Sequence, residues 1–143
     1  MVTVIDTSIW LDFFRTRSPR RVRQEARLII DSPDACLCEI VRFELLRAAP
    51  AKTRRALEPY LSTFPTLPSP GHLWSSAVAL GQRCADKGFI SRPLDLLIAI
   101  VCIHNDAVLA TFDKGFAPFL EVCPLRLRVL ERQSGSQGLT SRS

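Results

Sequence analysis

Long apolar runs are missing from this chain. None approaches the roughly 20 residues of a membrane-spanning helix, and charged residues interrupt the sequence throughout. The opening Met-Val-Thr-Val-Ile-Asp lacks the basic segment and small-residue cleavage site of a secretion signal, so the expectation is a soluble cytoplasmic protein with no membrane partner. Histidine is scarce. His72 and His104 are far apart and in no ligand spacing, which argues against a histidine-rich metal cage. Cysteine is present but unpatterned: Cys36 and Cys38 have one residue between them, not the two of a redox or zinc-ribbon motif. Five cysteines cannot all pair with one another, and these (with Cys84, Cys102 and Cys123) read as small hydrophobes.

What is present describes a globular domain. A chain of 143 residues that is 47% hydrophobic holds one domain with a proper core and is not generally disordered. The formal net charge is +5, and arginine greatly outnumbers lysine. A basic surface attracts polyanions, and the planar guanidinium suits bidentate phosphate contact. Mild basicity is common, however, and solvated arginines often do nothing specific.

Strand and helix signals alternate. Residues 2–5 read as a short buried strand, 8–14 as a helical turn, and an arginine-rich stretch (Arg15, Arg17, Arg20, Arg21, Arg23) leads into a helix ending near Ile30. Asp31-Ser32-Pro33-Asp34 is a turn. Ala35–Cys38 is a second strand, with helices over 39–49 and 51–62, and Pro65, Pro68, Pro70 and Gly71 make a loop. A helix over 72–87 stops at Gly88, and Ser91-Arg92-Pro93 opens another that runs to His104. Ala107–Thr111 is a third strand, and Leu125–Leu130 a last one at an edge. This order predicts a single α/β domain over residues 1–132, with a mainly parallel central sheet and helices on both faces. Residues 133–143 are rich in Ser, Gly and Arg and read as a disordered tail.

Four acidic residues stand where apolar segments stop: Asp6, Glu44, Asp95 and Asp113. Burying an unpaired charge costs several kcal/mol or more, so such groups are usually paired, neutralised or bound to metal. Asp6 and Asp113 fall at strand carboxyl ends, where open α/β sheets bind ligands. Asp6-Thr7-Ser8 also suits a helix cap. Asp95 opens Leu-Asp-Leu-Leu-Ile-Ala-Ile-Val-Cys-Ile, apolar on every other face, where the helix dipole favours a carboxylate. Glu39 and Glu44, five residues apart on a helix, point roughly 140° away from each other, and periodicity does not choose between them. Asp113-Lys114-Gly115 is also an ordinary turn.

Taken together, Val4-Ile5-Asp6-Thr7-Ser8-Ile9-Trp10, Phe43-Glu44-Leu45-Leu46-Arg47-Ala48, Pro93-Leu94-Asp95-Leu96-Leu97-Ile98-Ala99 and Leu109-Ala110-Thr111-Phe112-Asp113-Lys114-Gly115-Phe116 resemble a PIN domain. Within that superfamily the chain is most similar to VapC-type toxins of bacterial toxin–antitoxin pairs. The resemblance covers about residues 2–130 and prefers Glu44 over Glu39, because the family's glutamate precedes an apolar pair, here Leu45-Leu46. Two features depart from the pattern. Ile100 stands where the family often has a second alanine, and the position of Asp113 alternates between Asp and Asn in relatives.

The resemblance implies an endoribonuclease dependent on Mg²⁺ or Mn²⁺, which leaves a 5′-phosphate and a 3′-hydroxyl. It also implies a cognate antitoxin and a homodimer. Hard oxygen ligands suit those cations. Asp6 and Asp95 are then expected as direct ligands, Glu44 as ligand or water orienter, and Asp113 as an outer or second-metal ligand. Thr7, Ser8 and Thr111 would hold them in place, and Arg15, Arg17, Arg20 and Arg21 are candidates for the RNA path. Crowded carboxylates should show raised pKa values. Two rival readings fit the residues less well. A phosphohydrolase of the haloacid dehalogenase type needs an aspartate where Ser8 stands, and a catalytically inactive RNA-binding or regulatory domain would usually have lost one carboxylate.

Overall fold

A computed structural model of the protein describes residues 1–132; the tail expected over 133–143 lies outside them. Five short strands, β1 (Thr3–Ile5), β2 (Ala35–Cys38), β3 (Thr66–Leu67), β4 (Val108–Thr111) and β5 (Arg126–Val129), form one sheet in the order β3-β2-β1-β4-β5. Every pairing is parallel. Val4 lies opposite both Cys36 and Leu109, so β1 is the central strand. Its Val4 and Ile5 are fully buried, as an uninterrupted β-branched strand covered on both faces should be.

Six α-helices make the connections: α1 (Thr7–Phe14), α2 (Arg20–Ile30), α3 (Glu39–Ala48), α4 (Ala51–Leu61), α5 (Leu73–Asp86) and α6 (Pro93–His104). The first crossovers step outward from β1 to β2 to β3, and the α5–α6 crossover then leads back past β1 to β4. Right-handed connections running in opposite directions place their helices on opposite faces of the sheet. The strand order therefore reverses between β1 and β4, and the crevice beyond their carboxyl ends is the switch point.

The core follows from the sequence pattern. Residues Leu97–Cys102 of α6 are all buried, as an all-round apolar helix requires. Trp10 is fully buried against Phe64, with ring centroids 5.1 Å apart, and its indole N–H donates to the Ile5 carbonyl at 3.2 Å. Gly88 closes α5 at φ +90°, the left-handed position that favours glycine. Cys36, Cys38, Cys84 and Cys102 are free and buried, and burial pushes the Cys36 and Cys38 thiols up to about 11.

Two segments differ from expectation. The proline loop contains β3, because the Leu37 N–H on the outer side of β2 finds the Pro65 carbonyl at 2.8 Å. Beyond Asp113 the chain winds as a 3-10 segment, Lys114–Glu121, with Phe116 and Phe119 buried beneath it.

Candidate functional site

The carboxylates sit around the switch point on four separate segments, held in two different ways. Asp6, at the end of β1, is the N-cap of α1 and is buried. Its Oδ2 accepts from the Thr111 hydroxyl at 2.7 Å, from the Ser8 hydroxyl at 2.9 Å and from the Ser8 N–H at 3.4 Å. Among the described residues none of these bonds reaches Oδ1. The same hydroxyls join β1 to β4. Thr111 Oγ1 accepts the Asp113 N–H at 2.8 Å, and Ser8 Oγ accepts the Phe112 N–H at 3.0 Å. Capping and site-building are thus one arrangement here. On α3, Glu44 accepts from the Thr7 hydroxyl at 2.6 Å, whereas Glu39 is exposed at the helix start.

Asp95, the third residue of α6, is held by charge. Its side chain is 13% exposed, and Arg92 Nε donates to its Oδ2 at 2.8 Å. Burial pushes its pKa up to about 6; Asp6 and Asp113 add to the rise and Arg92 opposes it. Arg92 also pairs with Asp113 Oδ2, while Asp113 Oδ1 accepts the Gly115 N–H at 2.8 Å. Burial would raise Asp113, but the Gly115 amide and Arg92 outweigh it, and the carboxyl lies below its usual value. The expectation of raised carboxylates therefore holds at Asp95 and is reversed at Asp113, for which sequence reasoning supplied no cationic neighbour.

Among the described residues, no three His, Cys, Asp or Glu side chains stand close enough to share an ion as they are. The donor chemistry nonetheless fits a hard divalent cation. The donors are all carboxylate oxygens, and the Asp95–Asp113 pair already accommodates a cationic guanidinium.

Other residues fall away from this centre. Arg15, Arg17, Arg20 and Arg21 are exposed beyond the far end of α1. For Arg15 that is roughly 13 Å along the helix from Asp6, and Arg21 is paired with Glu25 and the Glu131 carbonyl. His72 and His104 meet edge-on at 5.7 Å between ring centroids. A groove of about 520 Å³ lined by Glu39, Phe43, Trp74 and Leu94 lies beside the carboxylates rather than among them.

Three residues escaped the sequence reading. Arg92 was legible only as a helix opener, although a cation three residues before an aspartate is a readable pair. Asp12 is buried, accepts from the Ser18 hydroxyl at 2.7 Å and pairs with Arg132 at 3.0 Å. Arg132 also lies over the Phe112 ring and helps to lower Asp113. Nothing local in the sequence links Asp12 to Arg132.

The PIN domain family model matches residues 3–119, and the chain belongs to that family. A comparison with curated proteins gives no match. Among solved structures, the chain is similar to a chain in VapBC2 from Rickettsia felis bound to a DNA fragment from their promoter. The TM-score is 0.71 and the identity 20%, over 92% of this chain and 100% of that one. It is also similar to a chain of VapBC-1 from nontypeable Haemophilus influenzae, with TM-score 0.69 and 20% identity over 90% and 98% of the two chains. A toxin–antitoxin complex from Klebsiella pneumoniae gives TM-score 0.67 and 21% identity over 92% and 99%. At these identities the likeness is one of fold.

Proposed function

We propose that this protein is a metal-dependent endoribonuclease, the toxin of a toxin–antitoxin pair, which hydrolyses RNA phosphodiester bonds. One observation supports the reading: Asp6, Glu44, Asp95 and Asp113 lie on four segments of a PIN-family chain and are held by Thr7, Thr111 and Arg92 near the carboxyl end of the central strand. Oxygen donors of this kind take Mg²⁺ or Mn²⁺. Asp6 and Asp95 would hold the ion, Glu44 would bind it or orient the attacking water, and Asp113 would act as an outer or second-metal ligand. A bound cation supplies a more acidic water and offsets charge on the phosphodiester.

The chain's own part is positioning. Thr111 and Ser8 fix the plane of the Asp6 carboxylate through Oδ2, and the Thr7 hydroxyl fixes Glu44. The partner follows from the resemblance and from neighbours that are toxin–antitoxin complexes. A cognate antitoxin would cover the site, and a homodimer is expected. No helix among the described residues is long and apolar enough to cross a membrane.

The inactive RNA-binding alternative draws on Arg92, which already occupies two of the carboxylates. Cleavage of total cellular RNA by antitoxin-free protein, in Mn²⁺ or Mg²⁺ against EDTA and beside Asp6→Asn, separates the two readings. Discrete fragments that need both metal and Asp6 are expected. Well-folded protein that makes no metal-dependent cut would leave the binding module as the better account.

A further inference from the structure

Arg92 stands where electrostatics alone would not put it. It is the N-cap residue of α6, at the positive end of the helix dipole, where a cation is disfavoured. Its guanidinium nonetheless turns inward along the helix end. Both Nε and Nη2 lie 2.8 Å from Asp95 Oδ2, and Nη2 also pairs with Asp113 Oδ2 on a segment 21 residues away. A capping role needs no contact with Asp113. The two carboxylates explain the placement.

We propose that Arg92 is an internal counter-cation of the Asp95–Asp113 pair, which a divalent metal must displace in order to bind. The proposal rests on the metal-site reading given above. Displacement is feasible because the Arg92 side chain is 64% exposed; an exposed ion pair is weakly held and screened by salt. The carboxylates do not move with it. Asp113 keeps its bond from the Gly115 N–H, and Asp95 is fixed in the first turn of a buried helix. Gly115 is shaped for this arrangement: a Cβ there would lie 3.0 Å from Asp113 Oδ1 and 3.7 Å from the Arg92 guanidinium. Until metal arrives, Arg92 relieves the repulsion between two carboxylates. Once it arrives, Arg92 opposes it by like charge and by competition for the same oxygens. The net result is a raised threshold of metal concentration.

The test is calorimetric titration of Mn²⁺ into metal-stripped full-length protein at fixed ionic strength. Wild type is compared with Arg92→Gln, Arg92→Ala and Arg27→Gln, the last removing an equal charge from the exposed Arg27–Asp31 pair. Both Arg92 variants should bind Mn²⁺ about tenfold more tightly than wild type, the factor that corresponds to about 1.4 kcal/mol of differential interaction, and Arg27→Gln should match wild type. The rise in melting temperature on adding Mn²⁺ should also be larger for Arg92→Gln, a readout independent of catalysis. Equal or weaker binding by the Arg92 variants overturns the proposal alone. So does equal tightening by Arg27→Gln, which would signal a net-charge effect. Binding by the variants with none by wild type supports it strongly. Absence of binding in every protein overturns both the proposal and the metal-site reading.

Discussion

Asp6, the N-cap of α1, and Asp95, in the first turn of α6, stand at the two helix starts beside the switch point, yet the chain holds them by opposite means. Asp6 receives neutral hydroxyl and amide donors, which fix its orientation and leave its charge in place. Asp95, together with Asp113, receives a guanidinium, which cancels charge and sits half in solvent. Neutral donors on a carboxylate build a permanent anionic pole, because the hydrogen bonds survive whatever binds on the other oxygen. A cationic partner builds an exchangeable one, because anything positive that enters competes with it. The Asp6 side is therefore the fixed wall of the site and the Asp95 side its adjustable wall.

The sharpest way to break this contrast is Asp95→Asn. In the functional reading, cleavage is abolished, as measured on total RNA with Mn²⁺. The metal-free fold should respond in the other direction. The Asp95 pKa of about 6 is above the unfolded value of about 3.9, so the native state binds the proton more tightly than the unfolded one. The contribution of Asp95 to stability is then present below about pH 4 and lost as pH rises toward 6, leaving a penalty of up to roughly 2–3 kcal/mol at neutral pH. Asparagine removes that penalty. Urea unfolding at pH 7 should show the metal-free variant as stable as wild type or more so, with a flatter profile between pH 4 and 6. Asp113, lowered rather than raised, works against the trend at still lower pH. A clear loss of stability in Asp95→Asn would mean that the Arg92 pair dominates over burial.

Thr111→Val tests the fixed wall. The hydroxyl is fully buried, donates to Asp6 and accepts from the Asp113 N–H. Its removal leaves one partly buried amide without its acceptor and one buried carboxylate short of a donor, a loss of about 1–2 kcal/mol. Cleavage should fall with it, because Asp6 Oδ2 then keeps only its Ser8 donors and is held less firmly. Unchanged stability would show that water replaces the hydroxyl, and that the wall is less fixed than the hydrogen bonds suggest.

How much of this was legible beforehand follows a physical line. Strand and helix positions came from local chemistry: the β-branched run at Val4-Ile5, the glycine stop at Gly88, and the proline opening of α6. All lie within a residue or two of their expected places. Asp6 and Asp113 were placed at strand ends by the same local signals. The preference for Glu44 needed the family resemblance, and in the fold Glu44 meets Thr7 while Glu39 faces outward. The unread features are pairings between segments distant in the chain: Arg92 with Asp113, Asp12 with Arg132, and β2 with the short β3 inside a proline loop. Sequence periodicity carries no information about such partners, because the side chain that answers a charge is chosen by the fold.

The smallest expected effect probes how finely the adjustable wall is cut. In Gly115→Ala the new Cβ arrives 3.0 Å from Asp113 Oδ1, tighter than nearly all real contacts, so the carboxylate must give by a few tenths of an ångström, by rotating. Rotation lengthens its bond from the Gly115 N–H and shifts the oxygen that Arg92 holds. Because Asp113 is partly exposed and its neighbourhood can relax, global stability should fall by less than about 1 kcal/mol. Metal-dependent cleavage should fall several-fold through the displaced ligand. The comparison with Asp95→Asn then ranks the two carboxylates. A near-silent Gly115→Ala would make Asp113 an outer ligand that tolerates movement. A loss approaching that of Asp95→Asn would place both on the same ion.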